Sequence, residues 1–158
     1  MYKEGYGNIP NKDKVRCMLD EAFRENPGQW IIHSHVIGKT CEKIAKEIGL
    51  DPEIAYAVGC LHDIGKAYGY EDLAHMMEGY RILRFESYFY LARIALGHGF
   101  VTDDFKSYHG RANVSERDQE FIRAYLKKRD IDIYEKLVIL LDNLIKDKYL
   151  GLEEREAL

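Results

Sequence analysis

Residues 54–61 read Ile-Ala-Tyr-Ala-Val-Gly-Cys-Leu, an almost wholly apolar stretch with no polar face. A helix that is apolar on every side belongs in the interior of a fold, where other elements surround it. The stretch therefore predicts a central, buried helix, which limits the architectures open to the chain. His62 and Asp63 follow at its end. Burying an imidazole and a carboxylate there is costly unless a partner compensates them, and a divalent metal ion would compensate both.

The rest of the chain has helical periodicity, and no segment alternates convincingly between apolar and polar residues as a strand does. Asp51-Pro52-Glu53 and Ser115 are typical helix starts, while Gly49 and Gly65 are typical stops. We expect helices at about 12–25, 29–48, 51–65, 71–84, 87–97, 115–129 and 133–147, a loop at 99–114 and a last turn at 153–157. Short connections between such helices favour a compact antiparallel bundle. The sequence thus predicts a single all-α domain over 1–158 with about seven helices.

Composition limits the environments and partners to be expected. No run approaches the roughly 18 apolar residues of a membrane span, and the N-terminus lacks the apolar core of a signal peptide. We therefore expect a cytoplasmic protein without a membrane partner. The net charge of −4 gives no reason to expect nucleic acid as the main partner. The basic run 127–129 lies at a predicted helix end, where cations complement the helix dipole, so a structural role is expected for it.

Three cysteines, Cys17, Cys41 and Cys60, are odd in number and form no C-x-x-C pair. This spacing argues against a disulfide framework and against a thiolate zinc site. Because all three lie among apolar neighbours, we expect three buried free thiols.

Two histidines of the second predicted helix are distinguished by the helical period. His33 and His35 point roughly 200° apart on one helix, so only one of them can face inward. The neighbours of His33 at helical spacing are mostly apolar, whereas those of His35 are Lys39, Glu42 and Lys46. We therefore predict that His33 is the buried one, either as a metal ligand or as a core histidine satisfied by a hydrogen bond.

Three further polar residues lie on inward faces. Asp142 ends the apolar run 137–141, His75 shares a stripe with Gly79, and His98 shares a face with apolar residues. Each alone fits a buried ion pair or hydrogen bond. Four inward histidines and two buried aspartates in one small core are better explained together by a metal centre. Their nitrogen and oxygen atoms suit Fe, Mn, Zn or Mg.

The order His33, His62-Asp63 and Asp142 resembles the H…HD…D signature of the HD-domain metal-dependent phosphohydrolases. The stretch Cys-Leu-His-Asp-Ile-Gly-Lys, residues 60–66, is especially similar to the central motif of that family. The resemblance covers about residues 29–150. It implies an all-helical bundle of the HD-domain type with a metal held at these four positions.

Two additional histidines extend the resemblance. His75 and His98 resemble the extra ligands of the binuclear HD subgroup, which implies two divalent ions with Asp63 bridging them. The chain lacks the Gly-Tyr-Pro segment of the branch specific for cyclic di-GMP, so the resemblance does not extend to that substrate.

The resemblance implies a metal-dependent phosphohydrolase, a phosphomonoesterase or phosphodiesterase, acting on a phosphate ester of a nucleotide or a related small molecule. The ions would activate a water for attack on phosphorus. Asp63 would orient that water, and Lys66 would bind the substrate and steady charge on the transferring group, unless it is an ordinary helix-end cation. His109 and Arg111, in the long predicted loop, are candidates for substrate binding, with a solvated turn as the alternative.

Two other functions remain open at this point. The same ligands would serve a di-iron oxygenase, and a non-catalytic nucleotide-binding module could share the fold. Because every ligand position of the motif is occupied, the sequence favours an enzyme over the binding module.

Overall fold

The computed structural model describes the backbone of residues 1–156 and the side chains of residues 1–145. Within these limits the chain forms an N-terminal hairpin, β1 (Tyr2–Lys3) with β2 (Gly7–Asn8), followed by seven α-helices. The helices are α1 (Lys12–Glu25), α2 (Gln29–Ile48), α3 (Pro52–Leu61), α4 (Asp72–Phe85), α5 (Phe89–Gly97), α6 (Glu116–Lys128) and α7 (Ile133–Glu156). Short 3-10 turns cover Ile64–Tyr68 and Phe105–Ser107. The predicted all-α bundle is confirmed.

Local capping explains where the helices begin and end. The Asp51 carboxylate accepts hydrogen bonds from the backbone N–H groups of Glu53 and Ile54, at 2.9 and 3.4 Å, at the start of α3. The Ser115 hydroxyl accepts from the N–H of Asp118 at 3.1 Å at the start of α6. Gly49 ends α2 in the left-handed region, with φ of 80°.

Two helix boundaries and one additional element differ from the prediction. The third helix ends at Leu61 instead of near residue 65, and a 3-10 turn follows it. The last helix continues through Glu156 without the expected break after residue 147, and Ala157 of the predicted final turn lies outside the described residues. The hairpin was not predicted, because strands of two residues are too short to show alternation.

The core forms around α3, as its all-apolar sequence predicts, since every residue from Ile54 to Leu61 is buried. One apolar cluster surrounds it with residues of α1, α2, α5 and α7, and a second cluster joins α4, α5 and α6. The helices α2 and α3 cross at Gly59, where an added Cβ would lie 2.8 Å from the Cα of Gly38. This close crossing brings the ends of α2 and α3 toward the same polar site.

Two further sequence expectations can be compared with the structure. Cys41 and Cys60 are buried free thiols, and burial raises the pKa of each to about 12. The expectation for Cys17 is wrong, because it lies on the exposed face of α1. Among the described residues, no helix combines the length and apolar character needed to cross a membrane.

Candidate metal centre

Four buried side chains meet where α2, α3 and α7 converge. His33 comes from α2, His62 and Asp63 directly follow α3, and Asp142 comes from α7. The His33 Nε2 atom lies 2.7 Å from Asp142 Oδ1, and the His62 Nε2 atom lies 3.5 Å from the same oxygen. His62 Nε2 is also 3.2 Å from Asp63 Oδ2. One ligand atom from each residue lies within 4.8 Å of the others, so the four form a possible metal site.

A second cluster shares Asp63 with the first. His75 of α4 and His98, the residue after α5, place their Nε2 atoms 3.0 and 3.1 Å from Asp63 Oδ1. The two oxygens of this carboxylate therefore face different sets of histidines, with Oδ2 toward His62 and Oδ1 toward His75 and His98. Asp63 is 2% exposed and has φ of −104° and ψ of 14°, a sparsely populated backbone region that active-site residues often adopt. Asp63 thus belongs to both groups of residues that could hold a metal ion.

Three of the histidines are oriented by their own backbone. The Nδ1 atoms of His62, His75 and His98 lie 2.6, 2.5 and 2.8 Å from the carbonyl oxygens of the third residue before each. A carbonyl oxygen only accepts, so Nδ1 carries a proton and the inward-facing Nε2 is the ring atom that could bind a metal ion. This is how histidine ligands of metals are usually held.

The electrostatics of the site call for a cation. The buried atoms His62 Nε2 and Asp63 Oδ2 have no hydrogen-bond partner in the described part of the chain. Burial disfavours the charged forms, yet the carboxylates of Asp63 and Asp142 raise the pKa of His62 to about 10. The surrounding imidazoles hold the pKa of both carboxyls below the usual value despite burial. A positive charge between these Nε2 atoms and carboxylates, from a proton on His62 or from a divalent ion in its place, offsets the repulsion between imidazole lone pairs and carboxylate oxygens.

The spacing of the ligand atoms also fits a metal. Donor atoms on neighbouring positions of an octahedral ion, each about 2.1 Å from it, lie about 3 Å from one another. The contacts His33–Asp142, His62–Asp63 and the two to Asp63 Oδ1 range from 2.7 to 3.2 Å. The residues present therefore fit divalent ions in both clusters.

A family model for the HD domain matches residues 30–147 of this chain. The chain belongs to the HD domain family. The four residues of the first cluster are those that the sequence resemblance assigns to the H…HD…D signature, and their role as ligands stays a prediction.

Relatives in several bacteria carry the name Ribonuclease Y. The chain is 35% identical to that of Lactobacillus helveticus over 95 residues, which are 58% of this chain and 18% of the relative. It is 44% identical to that of Mycoplasma mycoides over 72 residues, covering 44% of this chain and 17% of the relative. The protein of Clostridium tetani is 28% identical over 152 residues, 94% of this chain and 28% of the relative. The chain thus spans less than a third of the length of these relatives. No solved structure matches the chain significantly.

The glycine of the HD motif has a different role from the predicted helix stop. Gly65 lies within the 3-10 turn, and an added Cβ would be 1.7 Å from the carbonyl oxygen of His75 and 2.6 Å from the N atom of Gly79. The turn that carries Asp63 is therefore packed directly against the backbone of α4. Glycine at 65 allows this contact, which brings His75 to the shared carboxylate.

The remaining predicted site residues lie at different distances from this HD-domain centre. Lys66 is close, with Nζ 3.6 Å from Asp63 Oδ2 and a side chain that is 16% exposed. Arg111 donates through Nε to Asp72 Oδ2 at 2.8 Å, and its side chain is otherwise mostly exposed. Because the Asp72 carbonyl receives the Nδ1–H of His75, Arg111 contacts the residue that supports a ligand. His109 is exposed and belongs to neither cluster, so a substrate contact from His109 or Arg111 stays a prediction.

Two residues near the centre were missed by sequence reasoning. Tyr108 packs on Phe100 with ring centroids 5.3 Å apart, and burial together with nearby carboxylates, including Asp63, raises the pKa of its phenol to about 12. Arg129 has a fully buried side chain and donates to the carbonyl of Gly97, next to His98, at 3.0 Å. Nothing in the sequence separates Arg129 from the two lysines before it. Tyr108 has no sequence signal either, because its position depends on how a loop folds.

Proposed function

We propose that this HD domain is a metal-dependent phosphohydrolase that holds two divalent ions and acts on a phosphate ester of a nucleotide or a related molecule. The observation that carries the proposal is the position of Asp63. Its two oxygens face two sets of histidines, and its Oδ2 atom is buried without a hydrogen bond among the described residues. A bridging carboxylate of this kind is suited to a pair of ions that act together on one phosphate.

Divalent ions held by these residues would supply an activated water at neutral pH and would neutralise charge on the phosphoryl oxygens. The protein's part is to hold the ligands and to orient the reactants. Backbone carbonyls accept from the Nδ1–H groups of His62, His75 and His98 and so direct the Nε2 atoms inward. Asp63 orients the attacking water, and Lys66, 3.6 Å from that carboxylate, steadies negative charge on the transferring group.

The names of the relatives support hydrolysis of a phosphodiester. They are called ribonucleases, so RNA joins nucleotides among the substrates to be tested for this chain. The ligand set is complete, which favours an enzyme over a binding module. A di-iron oxygenase built on the same ligands is the competing activity, and the relatives favour hydrolysis over it. The metal identity and a cytoplasmic location stay predictions.

The test combines metal analysis of anaerobically purified protein with a phosphate-release and RNA-cleavage panel. Replacing Asp63 by Asn should remove bound metal and lower turnover about 1000-fold or more, since metal-ion catalysis supplies several kcal/mol. Asp20→Asn, on the exposed face of α1, is the matched control and should change neither quantity. Retention of full metal content and turnover by Asp63→Asn would overturn the proposal. Oxygen uptake by the iron-loaded protein without hydrolysis of any ester would support the oxygenase instead.

A further inference from the structure

A continuous surface groove runs between α4, the start of α5 and α6. It consists of two adjoining cavities of about 420 and 580 Å³ that share Tyr80 and Arg84 as lining residues. On α4, His75 and Gly79 face the metal centre, while Tyr80 and Arg84 lie on the other side of the helix. This α4–α6 groove is therefore separate from the HD site.

The groove carries a strong local positive charge. Five exposed cations line it, namely Arg81, Arg84, Arg93, Arg117 and Lys128. Among the described lining residues the only carboxylate is that of Asp118, which pairs with Arg81 at 2.8 Å. Without the buried Arg129, which pairs with Asp103, the five exposed cations and one carboxylate give a local excess of +4 in a chain whose net charge is −4. The chain therefore has a basic surface that can attract a polyanion, although its net charge is negative.

Aromatic rings alternate with these cations. Phe85, Phe89 and Phe121 are 90%, 54% and 42% exposed, and Tyr80 and Tyr125 are half-buried beside them. The Arg84 guanidinium lies 5.3 Å from the ring centre of Phe89. These three exposed phenylalanines do not belong to the apolar core. Exposed apolar side chains grouped on one face indicate a binding surface.

The combination of cations and exposed rings selects among possible ligands. Single-stranded nucleic acid offers phosphates at regular intervals and unpaired bases that stack on aromatic rings. In a duplex the bases are already stacked on one another, so only the cations would be used. We propose that the α4–α6 groove binds single-stranded RNA as an anchoring site outside the metal centre. The choice of RNA rests on the proposed phosphate-ester function, whereas the groove and its charge do not.

Binding can be measured by fluorescence anisotropy of a labelled uridine oligomer of about 15 nucleotides, which covers the site size of such grooves. Metal-replete protein is used, and gel analysis verifies that the oligomer stays intact during the titration. The variant Arg84→Glu/Arg93→Glu should weaken binding at least tenfold and reduce the salt slope by about 1.4, the value for two lost phosphate contacts on a single strand. Phe85→Ala/Phe89→Ala should weaken binding about fivefold or more without changing that slope.

The matched control is Lys39→Glu/Lys43→Glu, which makes the same charge change on the exposed face of α2. It should bind RNA within about twofold of the wild-type protein. All three variants should keep wild-type metal content and turnover of a small phosphodiester. RNA binding and hydrolysis of the small phosphodiester are thus measured separately. A failure of the groove proposal can therefore be distinguished from a failure of the proposed phosphohydrolase function.

Three results would overturn the proposal. The first is absence of RNA binding, or binding that both groove variants leave unchanged. The second is equal affinity for a duplex of the same length, which would exclude stacking on the rings. The third is a wild-type dimer that Arg84→Glu/Arg93→Glu dissociates in sedimentation without RNA, which would make the groove an interface between two copies.

Discussion

Replacing Glu135 by Gln should stabilise the folded protein at alkaline pH. Glu135 lies in the first turn of α7 and is 3% exposed, and its Oε1 atom is buried without a hydrogen bond among the described residues. The nearby Arg129 Nη1 is 3.5 Å away, but this guanidinium already donates to Asp103 and to the carbonyls of Gly97, Phe100 and Thr102. Burial therefore outweighs the attraction of Arg129 and raises the pKa of Glu135 to about 7.

The magnitude follows from the difference between folded and unfolded states. The ordinary pKa of 4.5 rises to about 7, a difference of about 2.5, which corresponds to about 3 kcal/mol. Because the folded-state pKa is raised, the stabilisation is fully present below pH 4.5 and is lost as the pH rises to about 7. Glutamine resembles the protonated acid and does not titrate. The variant should match the wild-type protein near pH 4 and exceed it by up to about 3 kcal/mol at pH 8.

The measurement is urea unfolding followed by far-ultraviolet circular dichroism at several pH values between 4 and 8. Taking the difference between the two proteins removes the contribution of the metal-site histidines, which both share. Glu120→Gln, on the exposed face of α6, is the matched control and should give a difference that does not vary with pH. A Glu135→Gln protein less stable at pH 8, or a difference constant across the range, would show that the pairing with Arg129 stabilises the ionised acid.

Three other perturbations test the site and its support. His33→Ala should lower metal content, whereas His35→Ala should leave it unchanged. His35 is half-buried on another face of α2 and belongs to neither cluster. Equal loss of metal from both variants in elemental analysis would contradict the helical-face argument. His75→Ala should lower the stoichiometry from two ions toward one while the thermal unfolding curve stays cooperative, and an unchanged count would exclude a second site. Gly65→Ala should destabilise by about 3 kcal/mol or more, because its Cβ would meet backbone at 1.7 Å. Gly79→Ala, with nearest contact at 3.3 Å, should cost far less in the same denaturant titration.

The sequence predicts the helices well because their signals are local. Asp51 and Ser115 are capping residues whose side chains accept backbone hydrogen bonds in the structure as expected. The error at the end of α3 has a physical cause. Glycine at 65 is typical of a helix stop, but here it allows contact with α4, a neighbour that local sequence does not identify.

The candidate ligands could also be predicted, because polar groups at the ends of apolar helices need a common partner. The helical period alone distinguished His33 from His35, and the structure places only His33 in a ligand cluster. Tyr108 and Arg129 could not be predicted in the same way. The position of Tyr108 against Phe100 depends on how the loop between them folds, and Arg129 contacts the end of α5, which is distant from it in sequence.

This difference between ligands and supporting residues reflects how the centre is built. His62, His75 and His98 are each oriented by a carbonyl three residues earlier, so their direction is fixed once the local helical turn forms. The three turns must then be brought together at the Asp63 carboxylate, and this requires long-range contacts. Gly65 allows the turn before α4 to pack against the backbone of that helix. Arg129 donates to the carbonyl of Gly97 at the end of α5 and to those of Phe100 and Thr102 after it. Variation at such contacts should therefore shift the relative positions of the ligands while leaving the orientation of each imidazole intact.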